Sequence, residues 1–255
     1  MRAITIFSIL VFSIAATLDV NAQKKKPVKE EEKPTETTPP TQPEVQPPAK
    51  VATVLDHYYT KYAMASQWND NEVAKNALYD MIILMPQNDS LIFNLAYFYY
   101  ENQQFTSSTL VSQELLARNP KNLTYLELSG ASFEALGIKD RALQNYETLY
   151  LLSNNTVTLY KIAFLQYELK RFEEGLTNVD ILLSKSDVST LKLGFNDTQN
   201  KPKDFAMRLG VLNLKGLLTA AKGDIPAAKK IYGDIIREAP DFQPAVTNLA
   251  ELNKG

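Results

Sequence analysis

Residues 123–154 read LTYLELSGASFEALGIKDRALQNYETLYLLSN, and this stretch decides the fold. Gly130 lies deep in one segment whose apolar residues recur three and four apart, the period of a helix. Ala142 opens a second such segment, Gly137 marks the turn between them, and Asn154 ends the run. A small residue on each of two antiparallel helices lets them cross closely.

The same signature recurs on both sides. The second segments align as Ala74, Leu78, Met81, Pro86; Ser108, Ser112, Leu115, Pro120; Ala142, Tyr146, Leu149, Asn154; Gly175, Val179, Leu182, Asp187; and Ala228, Tyr232, Ile235, Pro240. Their small first members are 34, 34, 33 and 53 residues apart. In the first segments the small residues are Ala96, Gly130, Ala163 and Gly216, each 12 residues before its partner. Pro86, Pro120 and Pro240 close their units because proline cannot continue a helix. Gly223-Asp224 supplies a turn, and Pro226 falls where a helix start tolerates its missing N–H. A period of this length marks a stacked repeat array.

On these residues the chain resembles the tetratricopeptide repeat (TPR) family. The third unit matches best, with Leu126, Gly130, Phe133, Gly137, Ala142, Tyr146 and Leu149. The second keeps Ile92, Leu95, Ala96, Tyr99, Phe105 and Pro120; the fourth keeps Leu159, Ile162, Ala163, Phe172 and Leu182, with Gln166 where an aromatic is usual. The fifth keeps Gly216, Gly223 and Ala228 but has Lys215 at a normally apolar position. In the first unit Tyr58, Tyr59, Tyr62 and Ala63 fit only with a one-residue shift, and Trp68 falls near the turn, as in an atypical capping repeat. The resemblance implies an all-α helical-hairpin solenoid of about five repeats, at 55–88, 89–122, 123–155, 156–188 and 209–242. An amphipathic segment at 244–254, with Val246, Leu249 and Leu252, closes it.

Between the fourth and fifth units lie 19 residues beyond one period, placed at 184–203 and including Leu191, Leu193, Phe195, Asn196-Asp197 and Pro202. Two readings stand: a loop folded over the groove or offered to a partner, and a tolerated insertion, since loop closure costs grow slowly with length.

Ahead of the repeats, residues 1–22 carry Arg2, an apolar run from Ala3 to Ala16, and Val20-Asn21-Ala22, which reads as a cleaved secretory signal peptide. The run is shorter than the roughly 20 residues that span a bilayer, so no stable membrane insertion is expected after cleavage. Residues 23–50 hold seven of the thirteen prolines and no aromatic residue. Such a Pro-, Lys- and Glu-rich linker cannot bury enough surface to offset its ordering entropy and should be disordered. The rest of the chain carries 20 basic and 23 acidic groups, which makes it a poor partner for nucleic acid. The absence of cysteine excludes disulfides and leaves stability to the repeat core.

The inventory for catalysis is thin. His57 is the only histidine, no paired metal-ligand spacing accompanies it, and no Gly-rich phosphate loop occurs. Glu173-Glu174 sits at a helix start, where carboxylates favour the dipole. The sequons at Asn88, Asn122 and Asn196 are explained for the first two by helix capping. No enzyme activity, cofactor or metal is therefore expected.

In the resembled family certain first-helix positions face the concave surface. Transferred residue by residue, they give Tyr59 in the first unit and Phe93, Tyr97, Tyr100 and Glu101 in the second. The third offers Glu127, Ala131 and Glu134, the fourth Tyr160, Phe164, Tyr167 and Glu168, and the fifth Asn213 and Leu217. An aromatic surface with acidic edges suits a protein or peptide segment with apolar anchors and nearby Lys or Arg; the alternative is that several tyrosines pack between repeats. Family members that clamp a carboxyl terminus use basic and amide residues where this chain has Phe93, Glu127 and Tyr160, so acidic tails are not expected ligands. The whole reads as an exported, envelope-associated or periplasmic binding scaffold. A structural subunit of an envelope assembly and a polysaccharide-binding protein are the alternatives.

Overall fold

The structure, a computed structural model, describes residues 53–254. The signal-peptide and linker segments lie outside these residues. Five antiparallel helical hairpins follow one another: α1 (Val54–Gln67) with α2 (Asn71–Leu84), α3 (Asp89–Glu101) with α4 (Phe105–Arg118), α5 (Leu123–Ala135) with α6 (Lys139–Ser153), α7 (Thr156–Glu168) with α8 (Phe172–Ser184), and α9 (Met207–Ala221) with α10 (Ile225–Glu238). The closing helix α11 spans Gln243–Lys254.

Local chemistry sets the helix ends. Thr53 and Asp56 form a reciprocal capping box on α1. Asp70, Asn88, Asn122, Asn155 and Asp224 each accept a hydrogen bond from a first-turn N–H of the next helix, satisfying donors that a helix start otherwise leaves open. Within every hairpin the turn passes through one left-handed residue: Asn69, Gln103, Gly137, Lys170 and Gly223. These positions repeat with the period of the array, yet only two are glycine.

The interior follows the same period. Ala74, Ala96, Ser108, Ala142, Ala163 and Ala228 are all buried, and the glycines show why small size matters. A Cβ on Gly130 would stand 2.9 Å from the Tyr146 ring, and one on Gly216 would stand 2.5 Å from the Tyr232 ring. The fifth unit therefore repeats the interlock of the third, which fixes its register; Lys215 turns outward to pair with Asp180 on α8 at 2.8 Å. In the first unit Tyr58 and Tyr62 pack against Leu78, Met81 and Leu95, while Trp68 caps α1 in an exposed position.

The segment after α8 is not a plain loop. A short 3-10 turn (Ser186–Ser189) leads into an antiparallel hairpin of β1 (Lys192–Asn196) and β2 (Pro202–Ala206), with Lys192 opposite Ala206 and Asn196 opposite Pro202. The inserted structure reaches to Ala206, beyond the 203 expected from the sequence. Phe195 and Phe205 both meet Phe242 edge-on at 5.0 Å. Gly210 in the first turn of α9 makes room for Phe195, whose ring a Cβ would meet at 2.9 Å. Lys203 pairs with Asp241, and the Thr198 N–H donates to the Asp241 carbonyl. The hairpin is thus docked on α9 and on the turn between α10 and α11.

Candidate functional site

The first helices of neighbouring units touch, α3 with α5 and α7 with α9, and residues one period apart form rows along the array. One row runs Tyr59, Phe93, Glu127, Tyr160, Asn213. The next runs Tyr97, Ala131, Phe164, Leu217, and a third runs Tyr100, Glu134, Tyr167, Ala220. Beside the third row, in the hairpin turns, stand Phe105, Lys139, Phe172 and Ile225. Across the second, third and fourth units three of these rows alternate aromatic, charged and aromatic, and the row of Tyr97 and Phe164 has Ala131 between them.

The second unit presents an aromatic shelf in two groups of touching rings. Phe93 stacks on Tyr97 at 6.3 Å and on Tyr125 at 5.7 Å, and Tyr100 meets Phe105 edge-on at 5.5 Å. The fourth unit repeats it: Phe164 and Tyr167 lie 6.3 Å apart, as do Tyr167 and Phe172. Spacing alone did not point to Tyr125, Phe105 and Phe172 as parts of these shelves. Their signal was available in the second and fourth units, where Tyr100 with Phe105 and Tyr167 with Phe172 keep one separation.

Between the shelves the third unit is polar. Glu134 accepts a hydrogen bond from the buried Tyr146 hydroxyl at 2.9 Å. The Tyr100 phenol is held above its usual range by burial and then by Glu134, Glu101 and Glu127. Tyr97 is raised likewise, by burial and then by Glu101. Glu168 is engaged by Lys139 at 2.8 Å. Lys161 lies with its ammonium 4.9 Å from the centre of the Tyr146 ring. A cleft of about 280 Å³ opens here, lined by Glu127, Tyr146, Thr158 and Lys161 among others.

Three transferred positions do not offer surface, and Ala131, 6% exposed, is one of them. Tyr160 is 4% exposed, and burial alone drives its phenol upward. Asn213 is 8% exposed and accepts a hydrogen bond from Asn248 of α11 at 3.0 Å, so the closing helix covers it. Helix direction put Tyr160 and Asn213 on the inner face; neighbouring side chains then took them out of solvent. The other residues, Tyr59, Phe93, Tyr97, Tyr100, Glu101, Glu127, Glu134, Phe164, Tyr167 and Glu168, retain some accessible surface.

Elsewhere, Asn88 and Asn122 act as helix caps, accepting from Ser90 and from Thr124 and Tyr125. Asp197 accepts from the Gln199 and Lys201 N–H groups in the hairpin turn. His57 packs edge-on against Tyr58 at 5.6 Å. Among the described residues no group of His, Asp and Glu is placed to hold a metal ion, and no helix is long and apolar enough to cross a membrane.

In fold the chain is similar to a tetratricopeptide repeat protein from Parabacteroides merdae, with 19% identity, 78% of this chain and 72% of that one covered, and a TM-score of 0.62. YrrB, a TPR protein whose structure has an unusual peptide-binding site, is similar at 14% identity, with 75% and 89% covered and a TM-score of 0.59. MamA from Desulfovibrio magneticus is similar at 10% identity, with 72% and 93% covered and a TM-score of 0.56. No protein-family model and no curated protein matches the sequence. The structural likenesses show that the chain has the tetratricopeptide-repeat fold.

Proposed function

We propose that this chain is a non-catalytic scaffold of the bacterial cell envelope that binds a segment of another protein in the concave groove of its repeats. The observation that carries the reading is the pair of aromatic shelves on α3 and α7. Part-exposed tyrosine and phenylalanine on rigid helices supply contact area at little entropic cost, as binding surfaces require. YrrB, with a peptide-binding site on the same fold, supports the use of such an array for peptides. The apparent signal peptide at residues 1–22 supports export to the periplasm, with release beyond it as the alternative address.

Crosslinking and affinity capture from the native envelope, with wild type and a Tyr97→Ala/Phe164→Ala variant, tests the groove. Both side chains are partly exposed, so the variant should keep its helical content and lose the captured partner. A folded variant that still captures every wild-type partner would remove the groove assignment. Mass spectrometry of the exported protein tests the address: the mature chain should lack residues 1–22, and retention of Met1 or Arg2 would overturn cleavage.

A further inference from the structure

Resting on the groove reading, we infer that the bound segment is extended and has the order apolar, basic, apolar. Its central Lys or Arg lies over the third unit, between the second- and fourth-unit shelves. The shelf of Phe93, Tyr97 and Tyr100 and the shelf of Phe164 and Tyr167 stand on first helices two units apart. Neighbouring packed helices lie about 8–10 Å apart, which separates the shelves by roughly 16–20 Å. An extended chain rises about 3.3 Å per residue and alternates its faces, so two apolar anchors on one face fall about six residues apart, with the side chains two and four residues along facing the same way between them. Ala131 and Ala135 occupy the third-unit places that hold Tyr97 and Glu101 one period earlier, leaving room for a backbone to pass.

The charge at that midpoint is negative. Glu101 ends α3, Glu127 and Glu134 lie on α5, and the Glu134 carboxylate reaches the Tyr146 hydroxyl beside Lys161. Lys161 offsets one of these charges from beside Tyr146, and Glu168 is already paired with Lys139. Two negative charges remain to be met. A cation beside the Tyr97 and Tyr100 rings gains from the aromatic faces as well as from the carboxylates.

The test is selection from a display library of random peptides of about twelve residues, long enough to span both shelves at the extended rise, against the full mature protein. Enriched peptides should carry Lys or Arg two or four residues after the first of two apolar residues about six apart. Glu127→Lys should weaken them roughly tenfold, the scale of one charge-assisted hydrogen bond, with the melting temperature unchanged. Peptides that depend on Tyr97 and Phe164 but carry a neutral or acidic centre, or apolar residues at helical spacing, would overturn this inference and leave the groove reading standing. If no enriched peptide responds to Tyr97→Ala/Phe164→Ala, both fail.

Discussion

The third and fifth units are built on one plan and put to different ends. Each interlocks a helix glycine with a tyrosine of the next helix, Gly130 with Tyr146 and Gly216 with Tyr232. Each also turns through a glycine of positive φ, Gly137 and Gly223. At the matching position of the first helix, however, Glu134 accepts from the Tyr146 hydroxyl, whereas the fifth unit has Ala220. The fifth unit instead carries the β-hairpin on its first turn and the closing helix against its inner face. The interior repeats because the crossing of two helices admits few solutions. The proposed groove and the edge face solvent, where the period imposes no such demand.

The sharpest way to break the comparison is to remove what only the fifth unit has. Phe242 is fully buried and holds both Phe195 and Phe205. Phe242→Ala should cost about 3–5 kcal/mol, as for other buried phenylalanines. Hydrogen exchange should show the loss of protection confined to the hairpin, α10 and α11, since repeats contact mainly their neighbours. Equal loss in α3 to α6 would mean that the array unfolds as one unit.

Next in size is the shared interlock. Gly216→Ala forces a Cβ to 2.5 Å from the Tyr232 ring, against 2.9 Å for Gly130→Ala at Tyr146. Overpacking of this kind costs about 1–3 kcal/mol, so urea denaturation should show the larger loss at Gly216. Pairing Gly216→Ala with Tyr232→Leu, which removes the ring that clashes, should recover most of it. Equal costs at the two sites would show that the rings yield alike.

Alkaline pH probes the tyrosines of the same interlocks. Burial raises the phenols of Tyr146 and Tyr232, and Glu134 adds to the rise at Tyr146 alone; Tyr99, hydrogen-bonded to Tyr79, is pushed up to about 12. Phenols raised in the folded state keep protons that the unfolded chain has released. Their stabilising effect is therefore full below the ordinary value near 10 and is lost as pH rises above it, at up to about 1.4 kcal/mol per pH unit for each phenol. Melting temperature should fall from about pH 10 upward, with tyrosinate absorbance of these residues appearing together with unfolding. Ionisation of all thirteen tyrosines before any loss of helicity would refute the burial described for them.

The sequence showed the interior more clearly than the surface. Ala96, Gly130, Ala163 and Gly216 could be paired with Ser108, Ala142, Gly175 and Ala228 because packing ties each small residue to a fixed offset. The hairpin was harder to see. Leu191, Leu193 and Phe195 alternate as a strand does, but of its partner Pro202–Ala206 only Phe205 is fully buried, so nothing apolar announced the second strand. At the proposed groove, the family resemblance picked out one face of each first helix but not its coverage. Tyr160 is packed away, and Asn213 is covered by Asn248 from a helix 35 residues further along the chain. The shelves depend on contacts such as Phe93 with Tyr125 between different helices, for which a single helix carries no signal.

The smallest expected effect separates the two glycine-turned units from the others. At the place of Gly137 and Gly223 the first, second and fourth units have Asn69 (φ 56°), Gln103 (φ 57°) and Lys170 (φ 61°). A side chain in the left-handed region crowds the backbone by about 1–2 kcal/mol, and asparagine tolerates it better than most. Glycine removes the crowding but has more freedom to lose on folding. Lys170→Gly should therefore gain about 0.5–1 kcal/mol in urea denaturation, Gln103→Gly nearly as much, and Asn69→Gly least. If Lys170→Gly were destabilising, the entropy of the unfolded chain would outweigh the turn strain. Glycine at 137 and 223 would then have to be explained by something other than the turn itself.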